Sequence, residues 1–329
     1  MTGNTHRLCL FAGSAHPELA QEIAELLNVP LGKIHVRTFP DSETHVQIEE
    51  SVRGADIFII QPTSPPVNEN LMELLVMLDA FRRASAGTIT AVVPYYGYAR
   101  QDRKSTGREP ISARLVADLL TQAGANRVVS VDLHVAQIQG FFQVPMDHLT
   151  SMETFVDYLR KKDLQNAVVV SPDVGRAKSA EKYASILNLP MALMHKRRTG
   201  IGGTEVEVME TVGDVRGKTP IVVDDVTSSG SISEQAKTLA AAGANPCYIL
   251  ATHGVLIDKA LERLADDCIC EVVVTNTVPV PEWKKEALPK LHVLSIASTL
   301  AKAIAHIFNN ESVSQEIKKF AGENVPFAV

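Results

Sequence analysis

"IVVDDVTSSGSISEQAKTLAAAGAN", Ile221–Asn245, falls into three pieces. A short β-branched run leads into two adjacent acids, Asp224 and Asp225. A stretch of Thr, Ser and Gly follows, and then apolar residues recur at helical spacing. An apolar strand feeding a polar loop and a helix is the repeating unit of a buried parallel sheet. Open sheets of this kind bind ligands outside the carboxyl ends of their strands, where the two acids are expected to stand. Ser228, Ser229, Gly230 and Ser231 offer hydroxyls and backbone N–H groups at a helix N-terminus, which is the chemistry that receives phosphate. Two carboxylates beside them suit a vicinal diol or a metal ion, and a diol with a phosphate is a sugar phosphate. An N-capping serine with two solvated acids would account for Ser231 but not for the crowding of the acids.

Outward from this stretch the same alternation continues. "RLCLFAG", "ADIFII", "TITAVVP", "NRVVSVDL", "NAVVVSP", "PCYILATH" and "EVVVTN" read as short strands, with helical patterns such as Leu71–Ala84 between them. Apolar strands separated by helices predict an α/β chain whose mainly parallel sheets are covered on both faces. The chain also resembles itself. "AGANRVVSVDLHVAQI" (Ala123–Ile138) matches "AGANPCYILATHGVLI" (Ala242–Ile257), and "VRGADIFIIQPTS" (Val52–Ser64) matches "VRGKTPIVVDDVTS" (Val215–Ser228) with one extra residue. The 329 residues are roughly twice the usual domain length. Two similar α/β domains are therefore expected, 1–148 and 149–329, with a C-terminal helix Ala297–Phe308 and a short tail in the second. "GDVRGKT" (Gly213–Thr219) is one residue short of a P-loop and precedes a strand instead of following one, so it is not one.

Composition narrows the functional classes. A net charge of −6 argues against a broad nucleic-acid-binding face. No apolar run reaches the roughly 18 residues of a membrane span, and the N-terminus lacks the layout of a signal peptide. Cys9, Cys247, Cys268 and Cys270 show no zinc-type spacing and read as reduced thiols of a cytoplasmic protein.

Further motifs stand in order around the acidic loop: "FPDSE" (Phe39–Glu43), "PYYGYARQDRK" (Pro94–Lys104), "REPISARLVADLL" (Arg108–Leu120), "VDLHVAQIQGFF" (Val131–Phe142), "SPDVG" (Ser171–Gly175) and "KRR" (Lys196–Arg198). Asp132 and His134 alternate at one strand end, and Asp173 closes another. Arg100 and Gln101 lie in a polar loop where a guanidinium can fork onto phosphate and an amide can read a base edge. "HKRRTGIGGTEVEV" sets cations beside glycines, either as a solvated basic loop or as a flap that closes on transferring phosphates. In this order the motifs resemble the ribose-phosphate pyrophosphokinase family over essentially the whole chain, with "YARQDRK" and "DLH…QIQGFF" the most specific.

The resemblance implies two phosphoribosyltransferase-like domains related by duplication. It also implies transfer of the pyrophosphoryl group of Mg-ATP to O1 of ribose 5-phosphate, giving phosphoribosyl pyrophosphate and AMP for nucleotide biosynthesis. Lys196 and Arg198 become the catalytic cations. Phe39, Asp41, Ser42 and Glu43 become the turn that reaches the adenine of a neighbouring subunit, with Ser42 where the family has glycine. Arg100, Gln101 and His134 hold ATP, and His134 with Asp173 forms the Mg²⁺ site, although Mg²⁺ prefers oxygen ligands to imidazole. Asp224, Asp225 and Ser228–Ser231 take ribose 5-phosphate. Ser51, Arg53, Ser312 and Ser314 match an allosteric phosphate site, with Ile317 in place of the family's aromatic residue. A homo-oligomer, a hexamer built from dimers, is implied, with neither nucleic acid nor membrane as partner. The acidic loop is one residue shorter than the family's and ends in Ser231 instead of Thr. That departure keeps open a non-catalytic regulatory homologue. A phosphoribosyltransferase would need neither a second α/β domain nor the "YARQD" and "KRR" segments.

Overall fold

The computed structural model describes residues 7–199, 206–257 and 259–313, with side chains throughout except at 196–199 and 206–209. In chain order the first elements are β1 (Leu8–Ala12), α1 (Pro17–Leu27), β2 (Ile34–Thr38), β3 (Thr44–Ile48), β4 (Asp56–Ile60), α2 (Val67–Arg83), β5 (Thr88–Val92), α3 (Ser112–Ala123), β6 (Arg127–Val131) and β7 (Met146–Leu149). They continue with α4 (Met152–Leu159), β8 (Ala167–Ser171), α5 (Ala177–Leu187), β9 (Met191–Thr199), β10 (Val206–Val212), β11 (Thr219–Thr227) and α6 (Ile232–Ala241). The last are β12 (Cys247–Gly254), α7 (Ala260–Leu264), β13 (Ile269–Thr275), α8 (Glu282–Ala287), β14 (Leu291–Leu294) and α9 (Ala297–Phe308).

Among the described residues these build two main sheets, of order β1-β4-β5-β6-β7 and β10-β9-β8-β11-β12-β13-β14, and a β2–β3 hairpin. Every pairing in the first sheet is parallel, and in the second only β9–β10 is antiparallel. Strand residues alternate between faces. In the first sheet Phe11, Ile57, Ile59 and Ala91 pack under α2 and α3, while Leu10, Phe58, Ile60 and Val92 pack under α1 and α9. In the second, Val168, Val170, Val222 and Ile249 pack under α6 and α7, while Val169, Ile221, Val223 and Leu250 pack under α4 and α5. Burial on both faces is why these strands carry unbroken apolar runs.

The chain divides into two compact units between Thr150 and Ser151, but the C-terminal helix corrects the division read from sequence. The segment from Ser295 that carries α9 belongs to the first unit, not the second, because Leu300, Ala301 and Ile304 share an apolar cluster with Leu10, Leu19 and Ile23. The exchange is reciprocal. The helix after the last strand of the first sheet, α4, buries Phe155, Val156 and Leu159 within the second unit.

The internal matches part ways in the structure. Val52 and Val215 are both buried at the same kind of turn, with Gly54 at φ 70° and Gly217 at φ 67°. In each, the residue after the glycine donates its N–H to the valine carbonyl at 3.1 Å, ahead of β4 and β11. These strands occupy equivalent places if β8-β11-β12-β13-β14 is laid on β1-β4-β5-β6-β7. The "AGAN" segments do not: they precede β6 and β12, the fourth and third strands of that shared order. Their likeness comes from a shared way of ending a helix and entering a strand. The backbone N–H of Asn126 donates to Ile89 O at 2.8 Å, and that of Asn245 donates to Lys218 O at 2.9 Å.

Candidate active site

The acids stand near the carboxyl end of the strand, as expected, but the strand runs on past them. β11 runs on through Asp224 and Asp225 to Thr227 because β12 pairs with it as far as Thr227–Gly254, whereas β8 pairs with it only up to Val222. The acids thus stand where β8 has ended and the β8 side of the strand is open. There Arg176 reaches them from the short turn Val174–Arg176 that follows β8. Its Nη2 pairs with Asp225 Oδ1, and its Nε lies 3.5 Å from Asp224 Oδ1. The Asp173 carboxylate holds that turn by accepting the Arg176 N–H at 3.0 Å, and Ser171 Oγ donates to Asp173 O at 2.7 Å. Asp225 is buried, at 5% exposure, while Asp224 is half-buried and accepts the Asp225 N–H at 2.8 Å.

Burial, and next the charge of Asp225, push the Asp224 carboxyl up to about 7, against the opposing pull of Arg176. The folded, ligand-free protein then keeps a proton that the unfolded chain, with its carboxyl near 3.8, gives up. Stability is expected to fall as pH rises between those two values and to level off above them, by at most about 4 kcal/mol. Thermal midpoints of chelator-treated protein across this window should decline for the parent and stay flat for Asp224→Asn; the same slope in both would remove Asp224 as the cause.

The loop after β11 is braced from behind. Thr227 O accepts from the N–H groups of Val255 and Leu256 at 3.0 and 3.2 Å, Ser228 O from Ile257 at 2.9 Å, and Ser229 O from Arg263 Nη1 at 2.9 Å. With these carbonyls tied back, no protein acceptor takes the N–H groups of Ser228, Ser229, Gly230 and Ser231 among the described residues. Ser231 stands at the N-terminus of α6 without a side-chain capping bond. The hydroxyls of Thr227 and Ser233 are buried without a partner, a state that costs about 1–3 kcal/mol each unless water or a ligand satisfies them. The chain here is a ring of donors beside two acids. Arg176 and Arg263 both escaped the sequence reading. Arg176 had a usable signal, since paired buried acids demand a counter-ion and it stands three residues after Asp173 at a neighbouring strand end.

The other predicted residues are placed as follows. Lys196 and Arg198 lie on β9, opposite Met209 and Glu207 of β10. Phe39, Asp41, Ser42 and Glu43 form the tip joining β2 to β3, closed by Phe39 N–H to Glu43 O at 2.8 Å and by Glu43 N–H to Asp41 Oδ1 at 3.2 Å. Ser42 sits at φ 75°, the left-handed conformation that glycine takes most easily. Arg100 is exposed, but the Gln101 side chain is engaged, since its Oε1 accepts Ser112 Oγ at 2.6 Å at the start of α3. His134 is half-buried beyond β6, in the first unit, while Asp173 belongs to the second. Ser51 accepts a hydrogen bond from Arg7 on its carbonyl, and Arg53 and Ser312 are exposed. Ser314 lies outside the described residues. All four cysteines are free thiols, and burial pushes those of Cys9 and Cys247 up. Among the described residues no helix is long and apolar enough to cross a membrane.

Two parallel-sheet units, one with an acidic pair and a donor ring at a strand end, define an α/β protein of the phosphoribosyltransferase-like class. Residues 8–124 match the N-terminal domain of ribose phosphate pyrophosphokinase, and 197–318 match the phosphoribosyl synthetase-associated domain. The chain is 50% identical over 310 residues to a ribose-phosphate pyrophosphokinase of Gloeobacter violaceus, covering 94% of this chain and 92% of that one. It is 49% identical over 318 residues to that of Clostridium perfringens, covering 95% and 98%. A crystal structure of phosphoribosylpyrophosphate synthetase from Mycobacterium smegmatis superposes with a TM-score of 0.87 at 48% identity, over 92% of this chain and 99% of that one. The chain belongs to the ribose-phosphate pyrophosphokinase family.

Proposed function

We propose that the chain is a ribose-phosphate diphosphokinase: O1 of ribose 5-phosphate attacks the β-phosphorus of ATP, the bond from that phosphorus to the α-phosphate oxygen breaks, and AMP leaves. The single observation that carries this reading is the donor ring of Ser228–Ser231 beside Asp224 and Asp225. Four N–H groups at the N-terminus of a ten-residue helix donate to a phosphate, and the adjacent acids accept hydrogen bonds from a sugar diol. The one-residue shortening is compatible with this, because Arg263 and the segment Val255–Ile257 hold the loop carbonyls away from the ring.

A divalent cation fits the same place. The donors are hard carboxylate oxygens, and a guanidinium already stands on them as a stand-in cation. Mg²⁺ there would be held by Asp224 together with substrate oxygens, and it would supply neutralisation of phosphate charge. On the ATP side, in the first unit, Arg100 is the phosphate fork, Gln101 reads the base through its amide nitrogen, and His134 contacts ATP. In the second unit Asp173, besides shaping the Arg176 turn, is a Mg²⁺ ligand. The exposed tip Phe39–Glu43 reaches the adenine of a neighbouring copy, so the active form is an oligomer. Ser51 and Arg53 supply one wall, and Ser312 and Ser314 the other, of a separate allosteric phosphate site.

The test is to incubate the chain with Mg²⁺, ATP and ribose 5-phosphate and follow AMP enzymatically and the product by ³¹P NMR. AMP should form only with both substrates present, and a diphosphate ester on C1 should appear. Tight ATP binding with no AMP would instead identify a regulatory homologue, the reading that the shortened loop keeps in view.

A further inference from the structure

We propose that Arg176 divides the work of the two acids: it commits Asp225 to an internal ion pair and leaves Asp224 as the acid that meets the ligand. The proposal rests on the ribose 5-phosphate reading of this loop and makes that reading asymmetric. Successive residues of a strand point to opposite faces. Val223 lies in the cluster under α4 and α5, so Asp225 turns to that same side, from which Arg176 enters just ahead of α5. The contacts follow. Asp225 is at 5% exposure and takes the close contact from Nη2, while Asp224 is at 23% and faces Nε across 3.5 Å.

A carboxylate as buried as Asp225 requires a partner, and removing that partner is far more disruptive than removing one at the surface. A diol or a divalent cation that takes Asp225 Oδ1 has to expel Arg176, whereas at Asp224 only the longer contact has to yield. The bracket Ser171–Asp173–Arg176 makes expulsion harder, because the backbone that carries Arg176 is itself fastened at 2.7 and 3.0 Å. Arg176 is thus a positioning residue. It repels a second cation from the pair and holds Asp225 still beside the acid that binds.

The experiment replaces the guanidinium while keeping side-chain bulk, Arg176→Met, in the full chain. Mn²⁺ binding is measured without substrates by the electron paramagnetic resonance of the free ion, and ribose 5-phosphate binding by calorimetry. Loss of one positive charge at this range is expected to tighten Mn²⁺ about tenfold. Ribose 5-phosphate should weaken by about tenfold as Asp225 loses its anchor, and Asp225→Asn added to Arg176→Met should return it to within about threefold of the parent. Asp224→Asn should cost at least about tenfold more ribose 5-phosphate affinity than Asp225→Asn.

Unchanged Mn²⁺ affinity in Arg176→Met, or equal losses for the two Asn variants, would overturn the division of roles. If Arg176→Met does not fold, Arg176→Lys decides. It keeps the charge but not the fork, so Mn²⁺ affinity should stay at the parent value while ribose 5-phosphate weakens; loss of neither would be fatal. A parent chain that binds Mn²⁺ but not ribose 5-phosphate would sink the sugar-site reading and leave the Mn²⁺ comparison to judge Arg176 alone.

Discussion

Lys196→Ala is expected to lower kcat by about 10²–10⁴-fold while KM for ribose 5-phosphate moves by less than about threefold. β9 pairs with β8 only from Met191 to Leu193 and continues as a two-stranded arm with β10. Lys196 stands three residues past the last of those pairs, and Arg198 two further on. Since β8 and β9 are parallel, the arm leaves the sheet at the same edge where Asp224 and Asp225 stand. Lys196 and Arg198 stand two positions apart on β9, in register with Met209 and Glu207 of β10. Charge spreads over the transferring phosphoryl oxygens only as the bond breaks, so the proposed catalytic cations would act on the barrier more than on ground-state binding. Arg198→Ala should follow the same pattern, and Arg198→Lys should recover only part of the rate because the planar fork is lost. Steady-state kinetics with both substrates varied decide it: a Lys196→Ala enzyme with the parent's kcat, or one whose whole loss lies in KM, is incompatible with the assignment.

Much of this arrangement is legible in the chain because its strands are buried on both faces. Apolar runs such as Asp56–Ile60 and Ala167–Ser171 declare themselves, and helical periodicity places α9 at Ala297–Phe308, the span that the structure has. What periodicity cannot carry is destination. An apolar stripe on α9 says that the helix covers something, and only tertiary packing decides that Leu300 and Ile304 cover the first sheet instead of the second. The "AGAN" match misled for a related reason, since the same helix-to-strand chemistry serves non-equivalent strands. At the site, Asp224, Asp225 and the serines were visible through residue type and order. The extension of β11 past them was not, because it depends on the length of β12, a partner that lies outside the loop's own sequence. Arg176 and Arg263 act through single hydrogen bonds and ion pairs across loops, which leave no periodic trace. Ser42 shows the converse. A residue that breaks the family's glycine preference still adopts the glycine-like φ of 75°, so the hairpin tip is set by its surroundings as well as by its own residue.

Gly230→Ala is the second change with a large expected effect, and its cause is backbone contact. Gly230 has φ +73°, and a Cβ built on it would come within 2.9 Å of Ala260 O and 3.0 Å of Ala260 Cα. Neither neighbour is a flexible side chain that can step aside, so the loop itself must move. The conformational strain alone costs about 1–3 kcal/mol. Displacement also moves the N–H groups of Ser229–Ser231, and losing two phosphate-directed hydrogen bonds of about 1.5 kcal/mol each weakens ribose 5-phosphate on the order of 100-fold. Gly140→Ala is the control: nothing lies within 4 Å of its Cβ position, and stability should change by less than about 0.5 kcal/mol. Ser231→Ala separates backbone from hydroxyl, because Ser231 makes no capping bond and its removal leaves the ring of N–H groups in place. Calorimetry on the three variants should therefore rank the losses of sugar-phosphate affinity as Gly230→Ala well above Ser231→Ala, and Ser231→Ala above Gly140→Ala. If Ser231→Ala loses as much as Gly230→Ala, the hydroxyl and not the backbone ring is the main phosphate ligand, and the shortened loop works by side-chain recognition instead.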